Sequence, residues 1–303
     1  GSGRVKDEFQ TAYVLPLYLN IFPENVRAKA AENLVQLVEK NDYKIGTGFP
    51  GTPYILFALA DSGHADTAFK MLLNTQCPGW LYEVRVGATT VWERWNSLDE
   101  NGRISSTGMN SLNHYSYGAV LEWIFRHVAG IDVTEQGPGG KMMRISPKVD
   151  HKLGSASAVY DSASGCYRCG WQIENGDQIT VTVTVPFGAK AQVILPYAPD
   201  SVYHDTDNPL FETVENGICC VKAGQYTVTY KAASPLKKSY SVDSTLEDLL
   251  AEPAIRAFLS NMMEVDMIPD LAYGLTLRQA AEAFAGGVSA EQAQRLNALL
   301  EEF

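Results

Sequence analysis

Between residues 9 and 73 apolar side chains recur at helical spacing. Ala12, Leu15, Leu19 and Ile21 trace one face, and after Pro23 the stripe resumes with Val26, Ala30, Leu34, Leu37 and Val38. Short helices arranged in hairpins are expected. The run TGFPGTP at 47–53 is punctuated by Gly and Pro as a loop, and two further helices follow at 54–59 and 65–73, parted by Asp61, Ser62 and Gly63. At 111–128 the residues Leu112, Tyr115, Ala119, Val120, Trp123 and Ile124 fall at helical spacing, with Asn110 as the expected N-cap.

After Ala129 and Gly130 the period falls from about 3.6 to about 2, and QGPGG at 136–140 marks the break. Residues 179–185 alternate apolar residues with Thr, and Asn175-Gly176 just before them is a dipeptide favoured in hairpin turns. With 190–195 and 225–230 as further strands, about seven or eight short strands fit a β-sandwich. Near Ser234-Pro235 the helical period returns: Leu246, Leu249 and Leu250 open a stripe with Ser244 as its cap, and Thr276 caps a helix that starts at Leu277. The chain therefore divides into a helical part at 4–130, a β-sandwich at 131–234 and a small helical domain at 235–303, a multidomain α and β protein.

Composition narrows the partners. The chain is 46% hydrophobic and 19% charged, and no apolar run approaches the roughly 20 residues of a spanning helix, so no membrane partner is expected. With 24 Lys+Arg against 35 Asp+Glu the net charge is -11, which repels phosphate backbones and argues against nucleic acid. An acidic, aromatic-rich surface suits a neutral ligand such as a sugar better than an anion.

Cys77, Cys166, Cys169, Cys219 and Cys220 are an odd set without the spacing of a disulfide framework, and no secretory signal precedes them; a reducing, cytoplasmic location is expected. Cys166 and Cys169 form a C-x-x-C without a second pair or a nearby His cluster, so they read as strand cysteines, and no metal or other cofactor is expected. Gly1-Ser2-Gly3 reads as a cloning remnant, and Arg4 runs into helical pattern without a cap, which points to a truncated chain.

Two stretches carry candidate chemistry. In GATTVWERW at 87–95, Glu93 and Arg94 lie between two tryptophans. The flanking Gly, Thr, Asn and Asp residues argue for an extended segment, in which Val91, Glu93 and Trp95 share one face and Trp92 and Arg94 the other. A partly desolvated carboxylate beside an indole, with a cation close by, suits a general base that takes a proton from water, and aromatic faces stack on sugar rings. A structural Glu–Arg pair wedged between core tryptophans fits the same spacing. In GMNSLNHYSYG at 108–118, His114 stands in the expected first turn of a helix among Asn110, Asn113, Tyr115 and Tyr117, where it is either a ligand for sugar hydroxyls or a structural histidine.

Taken together, QTAY at 10–13, TGFPGTPY at 47–54, PGWLYEVRVGATTVWERW at 78–95, MNSLNHYSYGAVLEW at 109–123 and YDSASGCYRCGW at 160–171 resemble the α-L-rhamnosidases of glycoside hydrolase family 78. The resemblance implies that the helical part is the C-terminal portion of an (α/α)6 catalytic barrel, followed by the family's β-sandwich. The implied activity is inverting hydrolysis of terminal α-L-rhamnosides. In that family the Glu of the WERW motif is the general base, here Glu93; the His of the NHY motif contacts the sugar, here His114; and Trp95 is the matching wall of the subsite.

An inverting glycosidase also needs a second carboxyl as general acid. In the family it comes from the first half of the barrel, and no matching motif occurs here; Glu83 and Asp99 are near in sequence but do not fit it. The expectation is a fragment that carries the base without its acid and is inactive alone. Its apolar helix faces would be covered by the missing barrel half, another chain or a homodimer. The alternative is a non-catalytic carbohydrate-binding or scaffold module. TLEDLLAEPAIR and LTLRQAAEAFAGG in the last region resemble small helical segments appended to some bacterial glycosidases.

Overall fold

The hydrophobic stripes fold into five helices in the first part of the chain: α1 (Gln10–Tyr18), α2 (Glu24–Lys40), α3 (Thr52–Asp61), α4 (Ala65–Leu72) and α5 (Trp80–Arg85). The computed structural model describes residues 2–105, 110–205, 207–237, 240–262, 265, 268–269, 272–284 and 286–301. Helix α3 is the centre of this part. Its residues from Ile55 to Ala60 are all buried, and it packs against α1, α2 and α4. Helix α1 buries Gln10, Tyr13, Val14 and Leu17. Of the expected face, Ala12 and Leu15 are half-buried, and Leu19 and Ile21 lie past the end of the helix and are exposed. The cause is composition: α1 is apolar on nearly every side, so periodicity cannot choose its buried stripe.

The helix expected at 111–128 begins later. Residues 111–114 are irregular, Ser116–Ala119 form a 3-10 turn, α6 spans Val120–Trp123, and Ile124–Val128 form a π turn. Asn110 does not cap it. Its carboxamide instead accepts from the Ser97 hydroxyl and donates to the Ser97 carbonyl, and His114 lies ahead of the first turn.

Two sheets follow, composed of β1 (Ile131–Val133), β2 (Met142–Ile145), β3 (Ser155–Ser162), β4 (Gly165–Glu174), β5 (Gln178–Val185), β6 (Lys190–Ile194), β7 (Val214–Glu215), β8 (Ile218–Val221) and β9 (Gly224–Lys231). One sheet has the order β3-β4-β5-β9 and is antiparallel throughout; the other has the order β1-β2-β6-β8-β7, in which β2 and β6 pair in parallel. Strand β5 buries Ile179, Val181, Val183 and Val185, as its alternation predicts. Asn175 and Gly176 both take positive φ in the connection from β4 to β5. Cys166 and Cys169 lie on β4 at positions of opposite parity, so they point to opposite faces of the sheet and cannot share a ligand. The sheets are joined to the helices by one continuous core and by the Trp171 indole, which donates to the Val128 carbonyl at 2.7 Å.

The chain separates into two units, Gly1–Leu236 and Lys237–Phe303. The second holds α7 (Leu246–Leu250), α8 (Pro253–Ser260), α9 (Leu277–Phe284) and α10 (Ala290–Leu300) around its own core. Thr245, not Ser244, caps α7 through the Asp248 amide, and Thr276 caps α9 through the Gln279 amide. No helix among the described residues is long and apolar enough to cross a membrane.

Candidate active site

The GATTVWERW segment begins where α5 stops. Gly87 has φ +89°, Gly87 N–H donates to the Val84 carbonyl and Ala88 N–H to the Glu83 carbonyl. This is the left-handed helix ending that glycine favours, and it turns the chain into residues 88–95 without a second helix. The segment is irregular, neither helical nor a regular extended strand: it bends at Thr89–Thr90 and at Glu93–Arg94 and turns at Trp95.

It is then clasped by the second motif. His114 N–H donates to the Val91 carbonyl at 2.8 Å, Glu93 N–H donates to the Ser111 carbonyl at 2.9 Å, and the Thr90 hydroxyl donates to the Leu112 carbonyl. These bonds explain the late start of the helix, because residues 111–114 direct their backbone groups to a neighbouring segment instead of to their own turn. They set Val91 opposite His114 and Glu93 opposite Ser111.

Trp92 and Trp95 are both buried, Glu93 is half-buried and Arg94 is exposed. The strict alternation expected of an extended segment is therefore broken through 91–95, because the chain bends at Glu93 and Arg94 and enters a turn closed by Ser97 N–H on the Arg94 carbonyl. Glu93 and Arg94 do not share one buried environment, which weakens the reading of a wedged structural pair. Trp95 stacks on Tyr117 with ring centroids 4.0 Å apart and planes 11° from parallel, and Trp80 meets Trp95 edge-on while its indole N–H donates to the Tyr117 carbonyl at 2.9 Å. The Tyr117 hydroxyl is pushed up from its ordinary range by burial first and then by Glu83; Arg94 opposes the shift and Glu93 adds to it. Both motifs thus converge on this phenol.

His114 stands in a row of rings. Its imidazole lies 4.9 Å from Phe49, at 14°, and 5.5 Å from Tyr115, at 8°. Ser116 N–H points to His114 Nδ1 at 3.4 Å. Phe49 also contacts Tyr117, with centroids 5.1 Å apart, so the rings of Trp80, Trp95, Tyr117, Phe49, His114 and Tyr115 follow one another.

Phe49 comes from the TGFPGTP loop, to which no chemistry was assigned by spacing; the available signal was a large aromatic residue at the tip of a Gly- and Pro-rich turn. The loop is held by the Thr47–Thr52 hydroxyl pair at 2.8 Å and by Gln10, which accepts from the Gly46 amide at 2.6 Å and donates to the Lys44 carbonyl at 3.2 Å. The QTAY and TGFPGTPY stretches therefore act together to set the ring beside His114. Glu83 is the other residue that spacing did not single out. It is 6% exposed, its Oε1 is buried without a hydrogen-bond partner among the described residues, and burial pushes it up to about 7.

Comparison with known proteins gives the family of the first two parts of the chain. Residues 1–128 match the family described as the bacterial alpha-L-rhamnosidase 6 hairpin glycosidase domain, and residues 130–208 match the bacterial alpha-L-rhamnosidase C-terminal domain. An alpha-L-rhamnosidase of Streptomyces avermitilis is 38% identical over 223 residues, which cover 73% of this chain and 21% of that protein. One from Alteromonas sp. (strain LOR) is 36% identical over 72% of this chain and 23% of its own length. The solved Streptomyces avermitilis alpha-L-rhamnosidase complexed with L-rhamnose superposes with a TM-score of 0.68 at 36% identity, over 76% of this chain and 22% of that one. The native Aspergillus terreus enzyme superposes with a TM-score of 0.66 at 31% identity, over 78% and 25%. The chain thus spans between a fifth and a quarter of the length of these relatives.

Proposed function

The chain belongs to the bacterial α-L-rhamnosidase family, and we propose that it is the C-terminal portion of an inverting enzyme that hydrolyses terminal α-L-rhamnose from glycosides. The observation that supports this reading is the backbone clasp between residues 90–93 and 111–114, which ties the segment of Glu93 to the segment of His114, whose imidazole belongs to a row of aromatic rings. In an inverting hydrolysis a carboxylate takes a proton from water as it attacks the anomeric carbon, and a carboxylic acid roughly 6.5–9.5 Å away on the opposite face protonates the departing oxygen. Glu93 is the base. His114 hydrogen-bonds a sugar hydroxyl, and Trp95 forms part of the wall.

The general acid comes from outside these residues, so the chain alone does not turn over substrate. The division into 4–130, 131–234 and 235–303 belongs to the same reading: the barrel portion, the sandwich and an appended helical domain. The outward apolar side chains Leu19, Ile21 and Leu121 are covered by the remaining hairpins of the barrel, with another chain or a second copy as the other occupants.

The test is Glu93→Gln in the enzyme with a complete barrel. Turnover is expected to fall by about 10² or more while the sugar still binds. Near-normal turnover removes Glu93 from the role. A non-catalytic carbohydrate-binding module is the alternative reading, supported by the outward ring of Tyr115 at the end of the row. Tight rhamnose binding by this chain alone, without the rest of the barrel, favours it.

A further inference from the structure

Ser97, in the turn that follows Glu93, has no exposed surface, and each of its polar groups is engaged. Its N–H donates to the Arg94 carbonyl at 3.0 Å and its hydroxyl donates to the same carbonyl at 2.8 Å. Its own carbonyl accepts from Ser105 N–H at 2.9 Å and from the Asn110 carboxamide at 3.2 Å, and its hydroxyl is shared with Asn110 Oδ1. A carboxamide carries a donor and an acceptor in one plane, and Asn110 uses both on this single residue.

These bonds complete a circuit with the clasp. Glu93 N–H donates to the Ser111 carbonyl, Ser111 follows Asn110, Asn110 holds Ser97, and Ser97 holds the carbonyl of Arg94, which follows Glu93. Glu93 and Arg94 form a bend outside any helix or sheet, so no regular hydrogen-bond ladder fixes their backbone angles. The circuit supplies that restraint at both ends of the bend. We propose that Asn110 is a positioning residue for Glu93: acting through Ser97, it fixes the bend and with it the direction in which the Glu93 carboxylate meets the attacking water. This rests on the reading of Glu93 as the base.

Misplacing a reacting group by about 1 Å costs on the order of a hundredfold in rate. The residues that face the sugar are anchored elsewhere, His114 by its N–H on the Val91 carbonyl and Phe49 by the Thr47–Thr52 pair of its own loop. Release of the bend therefore falls on kcat and leaves KM nearly unchanged.

Two measurements test this. In the complete enzyme, Asn110→Ala is expected to lower kcat about tenfold with KM within about twofold of the parent, and Ser97→Ala to lower kcat about threefold. The double variant is expected to fall short of the product of the two losses, because both residues serve one circuit. Parental kcat in a folded Asn110→Ala enzyme, a loss confined to KM, or losses that multiply would each overturn the proposal. In the present chain, Asn110→Ala is expected to speed hydrogen exchange at the Glu93 amide by about tenfold or more while the amides of α3 exchange as in the parent. A Glu93 amide protected as in the parent overturns the proposal. If Glu93→Gln keeps its turnover, the assignment of the base has failed instead, and the exchange of the Glu93 amide still decides whether Asn110 holds the bend. Should Asn110→Ala not fold, Ser97→Ala takes its place in both measurements: a lower kcat and a faster Glu93 amide support the proposal, and parental values overturn it.

Discussion

The imidazole of His114 lies flat against the ring of Phe49, with centroids 4.9 Å apart and planes 14° from parallel. Because Gln10 and the Thr47–Thr52 pair fix the loop that bears Phe49, the imidazole plane is set by a distant part of the chain. A stacked aromatic pair contributes about 0.5–1.5 kcal/mol beyond its buried area. Phe49→Ala is therefore expected to weaken rhamnose binding by up to about tenfold, and Phe49→Tyr to stay near the parent. Titration by tryptophan fluorescence, or KM in the complete enzyme, reads the change. Unchanged affinity in Phe49→Ala would detach the loop from the site.

Gly87 carries the turn that delivers residues 88–95. At φ +89° a side chain is strained even though the space around a Cβ is open. Gly87→Ala is expected to cost about 1–2 kcal/mol of stability. Urea denaturation of the chain measures it. The same substitution should lower turnover in the complete enzyme, since the strained turn feeds directly into Val91 and Glu93, which are clasped to His114 and Ser111.

Stability should depend on pH through Glu83. Its carboxyl is raised from 4.5 to about 7 in the folded chain, so between those values the folded state keeps a proton that the unfolded state has released. The stabilisation linked to that proton is fully present below about 4.5 and is lost as pH rises to about 7, with a ceiling of about 3 kcal/mol. Glu83→Gln removes the dependence. The variant should gain stability relative to the parent between pH 5 and pH 8 in urea denaturation; a constant difference across that interval would mean that Glu83 does not titrate there.

Local periodicity made some of this architecture legible and left the rest hidden. The alternation of Ile179, Val181, Val183 and Val185 determined both the strand and its buried face, because each position has only two choices. On α1 the apolar residues surround the helix, and the choice of Tyr13, Val14 and Leu17 as the buried side comes from α2 and α3, which no local pattern encodes. The late start of the helix after His114 has the same origin. Leu112 and Tyr115 fit a helical stripe, but the backbone of Ser111 and His114 bonds to Glu93 and Val91 instead. The motif residues of the site were readable as unusual chemistry, whereas Phe49 and Glu83 matter only through neighbours that folding brings to them.

In the second unit, Thr245 and Thr276 pair as an antiparallel bridge, and each hydroxyl accepts from the amide three residues on, that of Asp248 or of Gln279. The exchange is reciprocal: Leu246 N–H donates to the Leu275 carbonyl and Leu277 N–H to the Ser244 carbonyl. Replacing one cap by Ala costs about 1 kcal/mol, and the loss frays the first turn of its helix beside the bridge. Since the two helix starts hold each other through that bridge, Thr245→Ala and Thr276→Ala are expected to couple, the double variant departing from the sum by about 0.5 kcal/mol or more. Hydrogen exchange at the amides of α7 and α9 reads both the single costs and the coupling. Strict additivity would make the two caps independent local motifs joined only by proximity.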